Sequence, residues 1–224
     1  MKLLIFDAGP IISLTMNGML GVLEKLKEGF KGEFIVTPQV KREIIDRPMK
    51  IKRFKLEAIQ VNDLLSRDVI KMSSEIIPDS KLEQETKKIL KIANGFLRTS
   101  DTGERINLIH EGEASCLAFS KLCKAENVIV IDERTTRMIS ESPNNLEKMM
   151  EKKVHAPLKQ DSSMAAQLKN FRFIRSAEIL FIAYKKGLIP IKKDAQLLDA
   201  LLYGVKFKGA AISSQEIEEI EKLV

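Results

Sequence analysis

Tryptophan is absent from this chain of 224 residues, and cysteine and histidine occur only twice each. Cys116 and Cys123 form neither a Cys-x-x-Cys pair nor a disulfide framework, and their apolar helical context predicts two buried thiols on one helix face. His110 and His155 are too isolated for a zinc site. Any bound metal ion should therefore have oxygen ligands, and the sparse cysteines are typical of a reducing cytoplasm.

Long hydrophobic runs are also missing. The longest, from Ala177 to Tyr184, is interrupted by Glu178 and is too short to cross a bilayer. The N-terminal residues reach the charged Asp7 too early for a secretory signal peptide. We therefore expect a cytoplasmic protein with no membrane partner.

Aromatic residues make up only 5% of the chain, so an extensive base-stacking platform is not expected. The formal net charge of +6 permits a polyanionic partner without requiring one. If the partner is a nucleic acid, its phosphates and shape should dominate recognition.

Short β-rich runs alternate with longer helical segments, which predicts a parallel sheet covered by helices. The predicted strands are Leu3–Phe6, Phe34–Val36, Val128–Ile131 and Phe171–Phe173. No repeat or low-complexity linker divides the chain, so residues 1–224 are interpreted as one domain. Two long segments, at about 47–105 and 142–169, are interpreted as helical insertions.

Helix boundaries have local signals. Helical sequence follows Gly9 and Pro10 through Leu26, and a helix is expected from Ile174 to Lys186. Thr37 and Pro38 suit the N-cap and first position of a helix. Capping boxes are predicted at Ser80-x-x-Glu83 and Ser213-x-x-Glu216. The apolar stripe from Leu82 to Leu97 predicts an internal packing face, with a dimer or partner surface as the alternative.

Two strands end in an acid. Asp7 follows four apolar residues, and Asp132 follows Val128–Ile131. Ligands of open parallel sheets lie beyond the carboxyl ends of strands, so these carboxylates should face each other if their strands are neighbours. Close carboxylates raise each other's pKa unless a cation neutralises them. A shared metal site explains their placement, although either acid alone could be a solvated strand end.

Two further acids lie on predicted helices. Glu43 alone would be interpreted as a helix-surface partner of Arg47. Glu113 lies in the first turn of its helix, where the helix dipole stabilises an acid.

Together the four segments resemble the PIN domain family, especially its prokaryotic and archaeal members. The matching segments are Phe-Asp-Ala-Gly-Pro-Ile-Ile at Asp7, Thr-Pro-Gln-Val before Glu43, Glu-Gly-Glu-Ala at Glu113 and Val-Ile-Asp-Glu-Arg at Asp132. The later Ala-Tyr-Lys-Lys-Gly-Leu-Ile-Pro segment is similar too. The chain departs from the family where Val130 and Ile131 replace a frequent Ser or Thr, and where residues 173–178 replace a Gly-rich segment.

The resemblance implies a three-layer α/β/α sandwich with a central parallel sheet and metal-dependent ribonuclease activity. It implies that Asp7, Glu43, Glu113 and Asp132 form a catalytic cluster that holds Mg²⁺ or Mn²⁺. Glu133 occupies the place of a frequent additional acid, and Glu111 is a further candidate ligand. Hard divalent ions prefer such oxygen ligands and can ready a water and stabilise a phosphoryl transition state.

Basic residues cluster next to Glu43, where they could follow a phosphate backbone or form a solvated face. The nucleic-acid-binding candidates are Lys41, Arg42, Lys50, Lys52, Arg53, Lys55, Arg134 and Arg137. The last two could instead be structural partners of the acids.

The first functional hypothesis is a metal-dependent endoribonuclease, either the toxin of a toxin–antitoxin pair or an RNA-processing enzyme. The alternative is a non-catalytic PIN-like module that binds RNA or protein. RNA is the expected partner, with an antitoxin, another protein or a second copy of the chain as further candidates.

Overall fold

The computed structural model describes residues 2–223 and has a five-stranded parallel sheet at its centre. The strands of this sheet are β1 (Lys2–Phe6), β2 (Gly32–Val36), β3 (Lys71–Met72), β5 (Glu126–Val130) and β7 (Phe173–Ile174), in the order β3-β2-β1-β5-β7. A separate antiparallel pair is formed by β4 (Leu97–Thr99) and β6 (Leu158–Gln160). The predicted α/β class and parallel sheet are confirmed.

Twelve α-helices surround the sheet within the described range. They are α1 (Ala8–Met16), α2 (Gly21–Gly29), α3 (Pro38–Lys41), α4 (Lys55–Ser66), α5 (Asp79–Ala93), α6 (Glu111–Leu122), α7 (Arg134–Glu141), α8 (Pro143–Val154), α9 (Ser162–Gln167), α10 (Ser176–Lys185), α11 (Leu197–Lys206) and α12 (Ser214–Glu221). A π-helical turn occupies Arg42–Asp46, and 3-10 turns occupy Pro48–Lys50, Lys52–Phe54 and Ser73–Glu75. None of these helices is long and apolar enough to cross a membrane.

The central strand β1 is apolar on both sides because both faces of the sheet are covered. Its successive side chains alternate between faces, and Leu3, Ile5 and Phe6 are all buried. On one face Phe6 packs edge-on against Phe34 of β2, with their ring centroids 5.4 Å apart. Helices α2 and α10 lie over the same side, near Leu4 and Phe34.

Several local predictions are confirmed. Thr37 caps α3 by accepting a hydrogen bond from the Val40 amide at 3.2 Å, and Pro38 is the first helical residue. Ser213 and Glu216 form the predicted capping box of α12. The stripe on α5 is an internal packing face, because Leu82 and Ile89 are buried and α5 packs against α6.

Other local predictions are wrong. Helix α5 begins at Asp79 after Pro78, so Ser80 is inside the helix and does not cap it. The first helical segment is divided into α1 and α2, because Gly18 adopts a φ of 68° that ends a helix. Cys116 is buried, but Cys123 follows the end of α6 and is only half-buried.

The last predicted strand and helix are shifted. The strand comprises Phe173–Ile174 instead of Phe171–Phe173, and the helix comprises Ser176–Lys185 instead of Ile174–Lys186. Ile129 and Ile131 donate backbone hydrogen bonds to Arg172 and Ile174, which sets the register of β7 beside β5.

The two insertions are mostly helical, but each also contributes a strand. The segment 47–105 includes β3, which is an edge strand of the main sheet, and β4. The segment 142–169 includes β6, which pairs with β4 through Leu97↔Gln160 and Thr99↔Leu158. A strand of two residues is too short to show a hydrophobic period, which is why the sequence pattern did not reveal β3. The insertions are therefore joined to each other and to the sheet.

Candidate acidic site

The carboxyl ends of β1 and β5 lie side by side where the chain reverses its direction across the sheet. Phe6 pairs with Val130, and the Asp7 amide donates to the Val130 carbonyl at 3.0 Å. From β1 the chain proceeds to β2 and β3 on one side, then returns to β5 and β7 on the other. The strands that precede Asp7 and Asp132 are therefore neighbours at the switch point, where open α/β sheets bind ligands.

Asp7 is a buried acid at the start of α1, with only 6% of its surface exposed. Its carboxylate accepts a hydrogen bond from the Gly9 amide at 3.4 Å. Burial, together with the negative charges of Glu113 and Glu43, raises the pKa of Asp7 to about 7 against the opposing effect of the local amides. This carboxyl group is therefore part-protonated near neutral pH unless a cation replaces the proton.

Glu113 approaches Asp7 from the first turn of α6. Its Oε2 accepts a hydrogen bond from the His110 amide at 2.6 Å, which stabilises the helix N-terminus as predicted. Burial, together with repulsion from Glu133 and Glu43, raises the pKa of Glu113 to about 7. Glu113 therefore both caps the N-terminus of α6 and has a raised pKa.

Glu43 lies on the π-helical turn, where the Arg47 amide donates to the Arg42 carbonyl at 2.9 Å. Such turns alter the direction of side chains and are frequent at functional sites. The Glu43 carboxylate lies against Gly112, where a Cβ would come within 2.9 Å of its Oε1 atom. Burial raises the pKa of Glu43, although Arg47, His110 and Arg42 oppose this. Gly112 therefore permits α6 to approach the glutamate closely.

Glu133 caps α7, because its carboxylate accepts a hydrogen bond from the Thr136 amide at 2.7 Å. Its charge is close enough to raise the pKa of Glu113. Glu111 points elsewhere, since it is exposed and pairs with Arg42 at 3.4 Å. Of the two additional acids, Glu133 adjoins Glu113, and Glu111 is paired with Arg42 although its charge also raises the pKa of Glu43.

Asp132 is the most enclosed of these acids, with 2% of its surface exposed. Its Oδ1 accepts a hydrogen bond from the Ser176 amide at 2.8 Å, and the Ser176 Oγ lies 3.0 Å from Oδ1 and 2.8 Å from Oδ2. Burial raises the pKa of Asp132, while Ser176 and Arg137 lower it. Electrostatic repulsion thus links Asp7 with Glu113 and Glu43, and Glu113 with Glu133, while the Asp132 carboxylate is bound by Ser176.

Ser176 is the main site residue that the sequence interpretation missed. It lies in the segment where the chain departs from the PIN pattern, and it is the first residue of α10, one residue beyond the end of β7. No Ser or Thr lies just before Asp132 in the sequence, so the hydroxyl group next to Asp132 comes from Ser176 instead. A second missed contact joins Thr37 and Ser115, whose buried hydroxyl oxygens are 2.6 Å apart and link the end of β2 to α6.

The acids suit a hard divalent ion by donor chemistry, because they offer buried and half-buried carboxylate oxygens and two pKa values near neutrality. Within residues 2–223, no three His, Cys, Asp or Glu side chains converge as ligands of one ion. A shared ion would therefore require the carboxylates to approach one another more closely.

The basic candidates separate into paired and open groups. Lys41 pairs with Asp46 at 2.6 Å, and Arg42 pairs with Glu111. Arg137 is half-buried and donates to the Ala211 carbonyl at 3.2 Å, which gives it a structural contact. The exposed candidates without an acid within 4.0 Å in the described part of the chain are Lys50, Lys52, Arg53, Lys55 and Arg134.

Comparisons with protein-family models, curated proteins and solved structures find no match to this chain. Its function must therefore be argued from the geometry and chemistry of the acidic site.

The pKa of Asp7 predicts that the metal-free protein loses stability as pH rises. Its carboxyl group has a pKa of about 7 in the fold against 3.8 ordinarily, so the free energy of unfolding should fall across that window. We expect Asp7→Asn to flatten this fall. At about pH 8 it should raise the free energy of unfolding by on the order of 2 kcal/mol, because it removes a buried charge but adds an unpaired amide.

Urea unfolding in EDTA at about pH 5 and about pH 8 measures both effects. Asp101→Asn is the matched control, because Asp101 also accepts a backbone N–H but is exposed. A loss of stability for Asp7→Asn at the higher pH would show that Asp7 stabilises the fold as a charged group.

Removing the Ser176 hydroxyl group should destabilise the fold, because the buried Asp132 carboxylate loses a hydrogen-bond donor. We expect Ser176→Ala to lower the free energy of unfolding by about 1–3 kcal/mol near pH 8, and by less in acid, because the raised pKa of Asp132 favours its protonated form as pH falls. Ser162→Ala is the control, since Ser162 is also the first residue of a helix but is exposed. Equal losses in the two variants, measured by urea unfolding, would refute the role assigned to Ser176.

Proposed function

We propose that this protein is a metal-dependent endoribonuclease of the PIN type. The observation that carries the proposal is the buried Asp7 beside the half-buried Glu113, each with a pKa near 7, at the switch point of the sheet. Glu43 and Glu133 contribute charge to the same place. Holding like-charged groups together away from water costs free energy. The concentration of these acids in one crevice therefore indicates a cationic ligand.

The finer fold assignment is part of this proposal. The parallel sheet has β1 at its centre and is enclosed by helices on both faces, which is compatible with a PIN-type three-layer sandwich. The four acidic segments follow the elements expected from the resemblance: Asp7 after β1, Glu43 after α3, Glu113 in α6 and Asp132 after β5.

Asp7, Glu43 and Glu113 would hold Mg²⁺ or Mn²⁺, with Glu133 as the fourth carboxylate. When bound, such an ion supplies a readied water and neutralises charge on the phosphate. Asp132 would act as a positioning residue, because its hydrogen bonds to Ser176 join the ends of β5 and β7 beside the site. We retain all four predicted acids in the site but assign Asp132 this different role.

Protons on Asp7 and Glu113 would compete with the ion. Since burial and mutual repulsion raise both pKa values to about 7, metal affinity and cleavage should increase as pH rises through that value. This pH dependence is the opposite of the stability trend of the metal-free protein, because the same deprotonation that destabilises the empty site creates the ligands.

RNA would approach across the basic segment that follows Glu43. Lys50, Lys52, Arg53 and Lys55 are exposed, and the segment begins immediately after the π-helical turn. Phosphate contacts of this kind position a strand without reading its sequence. They would guide a scissile phosphate toward the carboxylates, whose negative charge alone would repel it.

The second candidate function is an RNA- or protein-binding module that does not cleave. It is favoured by the engagement of Asp132 with Ser176 and by the lack of three converging ligands within residues 2–223. Cleavage assays separate the two candidates directly.

The nuclease proposal predicts manganese- or magnesium-dependent cleavage of a mixed RNA pool. We expect Asp7→Asn and Glu113→Gln each to reduce the cleavage rate by on the order of 100-fold or more, because each removes a metal ligand. Gel analysis with labelled RNA measures the rate. Glu111→Gln is a close control, since Glu111 is on the same helix turn but points to Arg42.

An equal loss in Glu111→Gln would place the site elsewhere. A wild-type protein that binds RNA but does not cleave it with either ion would favour the binding module.

The basic segment predicts a salt-dependent affinity for RNA. In a Glu113→Gln background, replacing Lys50, Lys52, Arg53 and Lys55 with Gln should weaken binding and flatten the plot of log affinity against log salt. The slope should fall by about 0.7 for each single-strand phosphate contact removed. Fluorescence anisotropy across a salt series measures this slope.

The control replaces Lys148, Lys152, Lys153 and Lys159 with Gln, which removes the same charge from exposed positions on the second insertion. Identical slopes in the two quadruple variants would mean that net charge alone drives binding.

A further inference from the structure

An apolar groove adjoins the acidic site on the side of Glu43. Helix α1 forms one wall, α4 and the two 3-10 turns before it form the other, and the π-helical turn closes the end. Its volume of about 470 Å³ lies within the range of small-molecule sites in proteins. Glu43 lines this groove, so the groove and the acids share a side chain.

The groove exposes large apolar side chains that a surface ordinarily avoids. Ile12 and Met16 of α1 are 39% and 47% exposed, and Ile51 and Phe54 opposite them are 47% and 38% exposed. All four line the groove. A concentration of exposed apolar surface in a concave place indicates a ligand with an apolar body.

Glu57 adds a polar requirement to this ligand. It lines the groove, and its Oε2 atom is buried without a hydrogen-bond partner among the described residues. An ionised carboxylate only accepts hydrogen bonds, and buried acceptors are normally satisfied. The ligand should therefore present N–H groups at its edge.

The rim of the groove is basic. Arg47 and Arg53 line it and are exposed, and the Arg53 guanidinium lies over the Phe54 ring at 5.4 Å from the centroid. Lys50 and Lys52 are exposed on the same segment. The ligand should therefore carry negative charge outside its apolar body.

We propose that the groove binds a guanine base of single-stranded RNA next to the scissile phosphate, an inference that rests on the proposed nuclease function. A base supplies a flat apolar body that stacks on Phe54, while its phosphates meet Arg47 and Arg53. Guanine matches Glu57 because its N1–H and N2–H donors lie side by side. Adenine and cytosine pair one amino group with an adjacent acceptor, and uracil flanks its N–H with two acceptors.

Two other occupants are a second copy of this chain and an apolar peptide helix. Neither accounts for the apolar walls, the buried Glu57 oxygen and the basic rim together. A second copy of this chain or an apolar peptide helix would cover Ile12 and Met16, but would not by its nature present both paired N–H donors and flanking anionic groups. The combination of carboxylate, aromatic ring and basic rim favours a nucleotide.

The test uses labelled ten-nucleotide RNAs of uridine with a single U, A, C or G at the centre, in EDTA so that no metal-dependent cleavage occurs. We expect wild-type protein to bind the G strand about 10-fold more tightly than the U strand by fluorescence anisotropy. Phe54→Leu should remove most of this preference. Phe207→Leu is the control, because Phe207 is 77% exposed and lies outside the groove.

Glu57→Gln provides the sharper variant. An amide offers one donor and one acceptor, a pattern that adenine and cytosine both complement, so the preference for the G strand should be lost in favour of the A and C strands. Retention of the G preference in this variant would overturn the assignment of Glu57 to the guanine edge. Equal affinities for the four strands in wild type, or an equal effect of Phe207→Leu, would overturn the subsite itself.

Failure of the subsite can be distinguished from failure of the nuclease. A G preference that depends on Phe54, in a protein that cleaves nothing with manganese, would leave the subsite standing and refute the nuclease. If RNA is cleaved at positions that depend neither on guanine nor on Phe54→Leu, the nuclease would stand and the subsite would be refuted. Light scattering that shows a wild-type dimer converted to a monomer by Phe54→Leu would make the groove a contact between copies and overturn the proposal.

Discussion

This site is arranged around one constraint. Carboxyl groups placed together at the carboxyl end of β1 repel one another, which costs free energy. Asp7 and Glu113 are both raised to a pKa of about 7, and burial is the larger cause in each case. Each charge is relieved only in part by backbone amides, from Gly9 for Asp7 and from His110 for Glu113. Under the proposed function, a divalent cation would offset this cost.

The surrounding structure holds the acids in place through short, specific contacts. The pairing of β1 with β5 defines the crevice, and the Thr37–Ser115 hydroxyl contact ties the end of β2 to α6. Gly112 lets α6 approach the π-helical turn that carries Glu43. These contacts come from four different parts of the chain, so the site depends on the assembled sheet and not on any one motif.

Asp132 and the groove show how this chain differs in detail from the simplest cluster of four ligands. The Ser176 contacts hold Asp132 between β5 and β7. The first insertion supplies Phe54 and Glu57, which extend the site beyond its acids. Under the proposed function, these neighbouring segments would position the site and choose the substrate, while the carboxylates lie at and beside the strand ends.

The sequence alone determined the α/β class, the strands around Asp7 and Asp132 and the helix starts at Thr37 and Ser213, because these depend on local hydrophobic period and capping chemistry. It also identified Glu43 and Glu113 as candidates. Only the tertiary structure decided that β1 and β5 are neighbours, that Asp132 faces Ser176 and that β3 completes the sheet. Strand order, burial and side-chain direction arise from contacts between residues far apart in sequence, which no local pattern encodes.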